Sequence, residues 1–267
     1  MFKLKTICFL TVSIMLTVHI AYAETLTVGS HAIRYSAPEG YIEVNKIDNK
    51  NETDDYYVLF FTELYKSAGA SFVSLFMKKE YHEILDSNKP LVEYATIFYI
   101  NAFADTFLSD ADFLLLKKEI KSTFSQKANT IDLNGINITV SDQAILKDES
   151  TIFSFSQISV NNDDQTDALF SVTTMVNIEG LVLSIAYTRQ VESQADIDAT
   201  LSSSDFFFNN LNLKPVKSRR PAPGATSAVD GLNQVAGPLL LILVGVTSVM
   251  MLVLGVLFFF LNRNKEK

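Results

Sequence analysis

Residues 168–189 read ALFSVTTMVNIEGLVLSIAYTR, and this stretch decides the fold. Phe170, Val172, Thr174 and Val176 recur at every second position and share one face. After a turn at Glu179-Gly180, Leu181, Leu183, Ile185 and Tyr187 share another. Apolar residues with a period of two on either side of a glycine-containing turn describe two antiparallel strands, because successive side chains of a strand alternate between its faces. STIFSFSQISV (150–160) adds a strand just upstream. Before it, NTIDLNGINITVSDQ (129–143) sets Ile136, Ile138 and Val140 against Asn137, Thr139 and Ser141. Its Asn134-Gly135 pair accepts the positive φ of a tight hairpin turn, so this segment reads as a second hairpin.

Further toward the N-terminus, HAIRYSAPEGYIEV (31–44) alternates around Ile33 and Tyr35, breaks at Pro38-Glu39-Gly40 and resumes as a strand. YYVLFFTEL (56–64) and ASFVSLFMKKE (70–80) are aromatic-rich runs of high strand propensity. DFLLLKKEIKSTF (112–124) alternates Leu114, Leu116, Lys118, Ile120, Ser122 and Phe124 and fits a strand with a mixed face. Two segments break the period of two. KPLVEYATIFYINAFADTFL (89–108) starts at Pro90, a residue suited to a first helical turn, and spaces Glu93, Thr96, Asn101 and Asp105 three to five apart, so a deeply buried helix is expected. SQADIDATLSSSDFFFNNLNL (193–213) opens on Ser193 and Asp196, a capping-box variant, and sets Ile197, Leu201, Phe208 and Leu211 on one helical face. The expected fold is α+β, a mostly antiparallel sheet covered by helices.

The opening IRYSAPEGYIEV (33–44), the apolar helix after the first strands, the hairpin VNIEGLVLSIAYTR (176–189) and the closing helix at 193–211 together resemble the PsbP/Mog1-like family. The resemblance covers about residues 24–213. It implies an α/β/α sandwich, and a role as a non-catalytic accessory or binding module attached to a larger, often membrane-bound assembly. The family shares no catalytic signature, so no site residue is carried over from it.

The two ends concern location. The chain opens with a basic stretch around Lys3 and Lys5, an apolar run over Thr6–Ile20 and the small-x-small site Ala21-Tyr22-Ala23. This is the pattern of a signal peptide (1–23) cleaved before Glu24, with an uncleaved anchor as the other reading. At the other end, no charged residue occurs between Asp230 and Arg263, and Pro238–Leu261 is a 24-residue apolar run. As a helix it would be roughly 36 Å long, enough to cross a hydrocarbon layer. The expected organisation is a domain over 24–213, a basic Pro/Gly/Ala linker over 214–236, a transmembrane helix over 237–261 and a cytoplasmic basic tail over 262–267. The tail's Arg263, Lys265 and Lys267 fit a positive-inside anchor. The stalk cations Lys214, Lys217, Arg219 and Arg220 read either as a solvated spacer or as contacts to anionic headgroups. A bacterial inner membrane with the domain in the periplasm is expected; a eukaryotic secretory-pathway membrane is the alternative. The sequons at Asn51 and Asn137 matter only in the second.

Composition narrows the chemistry. From Glu24 to the stalk there are 29 acidic and 17 basic residues, a net charge near −12, which repels phosphate backbones and argues against nucleic-acid binding. Cys8 is the only cysteine and falls in the signal, so a mature chain has no disulfide and no thiol nucleophile. His31 and His82 are its only histidines, too few for the usual zinc ligand sets. The domain's glycines, Gly29, Gly40, Gly69, Gly135 and Gly180, are too scattered for a phosphate-binding loop, and no G-x-S-x-G elbow occurs. The acidic loops Asp48–Asp55 and Asn161–Asp167 offer oxygen ligands without the glycine and terminal glutamate of a calcium loop. No catalytic, cofactor or metal residue is therefore named. The leading expectation is a single-pass, membrane-anchored extracytoplasmic interaction module, an accessory of an envelope complex with a protein partner there. The alternative is a small-ligand or lipid-binding domain in which Ile97–Phe107 lines a cavity; an enzyme of unrecognised type is a third.

Overall fold

The computed structural model describes residues 23–29, 31–45, 51–84, 91–124, 129–133, 136–161 and 168–217. The expected signal, the span at 237–261, the tail and nearly all of the stalk lie outside them. Among the described residues no helix is long and apolar enough to cross a membrane.

The hairpin of 168–189 is present as β9 (Ala168–Ile178) and β10 (Leu181–Val191), paired without a break in register. Glu179 and Gly180 make the turn with φ of 50° and 91°, the left-handed pair whose twist matches that of the strands. Gly180 is needed for space as well, since a Cβ there would lie 2.2 Å from the Phe107 ring. The two apolar rows are one face, with Tyr187 opposite Val172 and Ile185 opposite Thr174.

These strands sit in an eight-stranded sheet. Its order is β3 (Tyr41–Val44), β4 (Ala70–Lys78), β5 (Glu93–Ile100), β10, β9, β8 (Ile152–Asn161), β7 (Ile136–Asp148) and β6 (Asn129–Leu133). Every neighbouring pair is antiparallel. β6 and β7 form the hairpin expected around Asn134-Gly135, although the turn pair itself lies outside the described residues. A second sheet of three strands has the order β1 (Glu24–Val28), β2 (His31–Tyr35), β11 (Lys214–Lys217). The first four residues of the expected stalk thus form a strand.

Among the described residues four helices accompany the sheets: α1 (Glu52–Ser67), the one-turn α2 (Lys79–His82), α3 (Asp110–Phe124) and α4 (Gln194–Asn210). α1 and α3 cover one face of the large sheet. There Phe61 and Tyr65 of α1 and Phe113, Leu116 and Ile120 of α3 share a core with Leu75, Tyr94, Phe98, Phe153 and Met175. The other face packs against α4, through Phe207 and Leu211 on Phe76, Ile97 and Tyr187, and against the small sheet, through Val28 and Ile33 on Leu181 and Leu183. Each of these fully buried large side chains contributes about 1.5–3 kcal/mol through its removal from water.

Three sequence expectations are corrected. The helix expected over 89–108 is β5 followed by a 3-10 turn (Asn101–Phe103). β5 is central and covered on both faces, Tyr94 and Phe98 packing one way and Ala95 and Ile97 the other, so its sequence has no polar face to reveal a period of two. The strand expected at 56–64 is part of α1, which buries Tyr57, Val58, Phe61 and Tyr65 at helical spacing. Its start is set by Asn51, whose side chain accepts hydrogen bonds from the backbone N–H groups of Thr53 and Asp54, with Glu52, Asp54 and Asp55 at the positive end of the helix dipole. The strand expected at 112–124 is α3. Phe113, Leu116, Lys117 and Ile120 face the core, Leu114 and Leu115 face solvent, and Ser109 and Asp112 exchange hydrogen bonds at its start. The closing helix is as expected, with the reciprocal Ser193–Asp196 cap and Ile197, Leu201 and Phe208 packed on the sheet.

Candidate functional site

The histidines lie apart. His31 is buried at the start of β2, where burial lowers its pKa and the Glu179 carboxylate partly opposes that. His82 hydrogen-bonds Asp54 at 2.9 Å, joining α2 to α1. Of the acidic loops, Asn51, Asp54 and Asp55 belong to the start of α1, and 162–167 lie outside the described residues. Among the described residues no three His, Cys, Asp or Glu side chains cluster as a metal site would require. Asn137 and Asn51, the sequon residues, fall on β7 and at the cap of α1.

A different set of residues converges where β3, β4, β5 and β10 end side by side, on the α4 face. Lys78 pairs across the strands with Tyr41, and Arg189 with Glu93. The Glu93 side chain is 1% exposed and accepts from the Lys78 ammonium at 2.8 Å. It also accepts a hydrogen bond from the Tyr187 hydroxyl, which in turn lies 2.9 Å from the Tyr41 hydroxyl. Its second oxygen has no hydrogen-bond donor among the described residues; Arg189 Nη1 lies 3.7 Å from it. Arg189 also reaches Asp196 at 3.3 Å, tying the network to the first turn of α4. Beneath it Tyr41 meets both Tyr187 and Phe207 edge to face, the latter at 5.0 Å, and Tyr187 and Phe207 meet at a tilt.

The electrostatics follow from this packing. Burial disfavours charge on Glu93, yet the hydrogen bonds from Lys78 and Tyr187 and the attraction of Lys78 and Arg189 outweigh it and hold the carboxyl below its ordinary value. Lys78 is held up for the matching reason, its bond to Glu93 overcoming burial. Burial and the Glu93 hydrogen bond push the Tyr187 hydroxyl up, and burial does the same for Tyr41. Each shift carries its group away from neutral pH. These shifts favour the charged forms of Glu93 and Lys78 and the neutral forms of Tyr41 and Tyr187.

Above the network opens a groove of about 380 Å³, walled by Glu39 and Tyr41, by Lys78 and Glu80 and by Phe206 and Ser203 of α4. Phe206 is 49% exposed. Neither Glu39 nor Glu80 is ion-paired among the described residues, and Lys78 is committed to Glu93. Along Ile97–Phe107, where the alternative reading would place a cavity, Ile97, Phe98, Ile100 and Phe103 are packed in the core, each at most 2% exposed.

The sequence assigned Glu93, Tyr187 and Asp196 to secondary-structure patterns only and gave none of the network residues a functional role. The usable signal was Glu93, a lone carboxylate inside an apolar run, with Lys78 and Arg189 ending two other strand-like runs. Only the sheet register joins the three.

No family model and no curated protein matches the chain. Among solved structures, the Ran-binding protein Mog1p of Saccharomyces cerevisiae is similar at 10% identity and a TM-score of 0.36, over 74% of this chain and 97% of that one. Cyanobacterial PsbP (CyanoP) from Synechocystis is similar at 9% identity and a TM-score of 0.30, over 74% and 95%. The PsbP/Mog1-like resemblance is one of fold only, and no site residue rests on it.

Proposed function

We propose that this chain is a single-pass, membrane-anchored interaction module, an accessory of a bacterial envelope complex, with its domain on the periplasmic side and acting by binding and not by catalysis. The observation that carries the reading is the polarity of the domain. β11 runs antiparallel to β2, from Lys214 opposite Arg34 to Lys217 opposite Ala32, toward the end of the large sheet where Ile33 packs on Leu183. The groove opens at the other end, beside Lys78, Glu93 and Arg189. Leu183 and Arg189 are six strand residues apart, roughly 20 Å. A domain tethered through residues beyond Lys217 would hold the groove outward. The apolar run 238–261 and the signal pattern at 1–23 support the tether, and the acidic surface suits a protein partner better than a nucleic acid.

The test is crosslinking of the full-length protein in its native membrane, followed by mass spectrometry. One reproducible partner is expected, lost when the domain is deleted. Recovery of the protein alone, or of a partner indifferent to the domain, overturns the reading.

A further inference from the structure

We propose that the groove beside Tyr41 and Phe206 receives a basic segment of a partner protein, an Arg or Lys whose aliphatic stem lies on Phe206 and whose cation sits between Glu39 and Glu80. The inference rests on the interaction-module reading and names the chemistry of its partner. Glu39 and Glu80 stand on two separate elements, the β2–β3 turn and α2, yet both wall the same groove with Phe206. Among the described residues Lys78 is the one cation that lines the groove and it is neutralised by Glu93 at 2.8 Å, while Glu39 and Glu80 have no ion pair. Lys79, the next cation along the chain, is exposed and does not line it. Two carboxylates beside an exposed aromatic ring suit a long basic side chain, whose methylenes cover apolar surface while the charged head stays between acceptors. Tyr41 adds a second ring at the floor.

A photo-crosslinking residue placed at Ser203 of the full-length protein in its native membrane tests this. The captured segment is expected to contain Arg or Lys. Its yield should fall about tenfold in E39Q/E80Q and recede as salt is raised, because exposed charge pairs are individually weak and screened. Unchanged thermal unfolding of E39Q/E80Q would show that the loss is not one of folding. A captured segment lacking basic residues, with a yield indifferent to E39Q/E80Q, overturns this inference and leaves the interaction-module reading standing. Capture of a second copy of this chain overturns it in favour of self-association. A partner captured only from a crosslinker on another face, such as Leu114, removes the groove from consideration. No capture from any position removes both.

Discussion

Two glutamates on one face of the large sheet, Glu93 buried and Glu43 half-buried, are held by different means, and they respond in opposite directions. Glu93 of β5 meets Lys78 and Arg189, and its carboxyl is held below its ordinary value. Glu43 of β3 meets no cation among the described residues. Its Oε1 accepts from the Tyr35 hydroxyl at 2.7 Å, the Ser74 hydroxyl at 2.5 Å and the Asn45 amide at 2.9 Å. Burial outweighs those three donors and raises the carboxyl above its ordinary 4.5. Neutral hydrogen bonds soften the desolvation of a carboxylate, whereas paired cations reverse it. Asn45 also donates to Glu24 at 2.7 Å, so the Glu43 centre joins the small sheet to the large one. The Glu93 centre joins the large sheet to α4 through Arg189.

The contrast can be broken most severely at Glu93. E93A leaves Lys78, Arg189 and the Tyr187 hydroxyl around an empty site, and about 3 kcal/mol of stability should be lost in chemical denaturation at neutral pH. A loss below 1 kcal/mol would mean that the cations turn to solvent at no cost. Y187F removes one donor to a carboxylate that keeps its cations, and about 1–2 kcal/mol is expected from the same measurement.

E43Q should act with the opposite sign. A carboxyl raised in the folded state contributes most below its ordinary value of 4.5 and less as pH rises. E43Q should therefore gain about 0.5–1 kcal/mol over the parent near pH 7 and lose that advantage by pH 4. Glu93 behaves conversely: its contribution is present above the ordinary value and is lost as pH falls through its lower folded one. Unfolding curves of E43Q, E93Q and the parent between pH 3 and pH 8 separate the two; parallel curves would refute the contrast. F206A removes no hydrogen bond or ion pair of either centre. Its unfolding should change by less than about 0.5 kcal/mol, while capture from the groove weakens.

What the sequence disclosed depended on exposure. β9, β10 and α4 were legible because each has a regular pattern or a cap that only one backbone satisfies, as Ser193 and Asp196 show. β5 was read as a helix because Glu93 and Thr96, its polar residues, are buried inside the sheet; Thr96 meets the Tyr65 hydroxyl at 2.7 Å. α1 was read as a strand because Tyr56, Tyr57, Phe60 and Phe61 are strand formers by propensity, a preference overruled once one helical face could bury against β4 and β5. Asn51 held the correcting signal. The groove was illegible for a different reason: Glu39, Glu80 and Phe206 come from three elements, and their meeting depends on where β3 begins and β4 stops.

β11 has one further consequence. It is the edge of the small sheet, bonded to β2 alone, with Pro215 contributing no donor and the register slipping between Pro215 and Lys217. Its direction makes this short clasp mechanically polar. Tension between an occupied groove and the chain beyond Lys217 acts along the strand, so its hydrogen bonds share the load and must fail together. A sideways force of the same size would peel them one at a time.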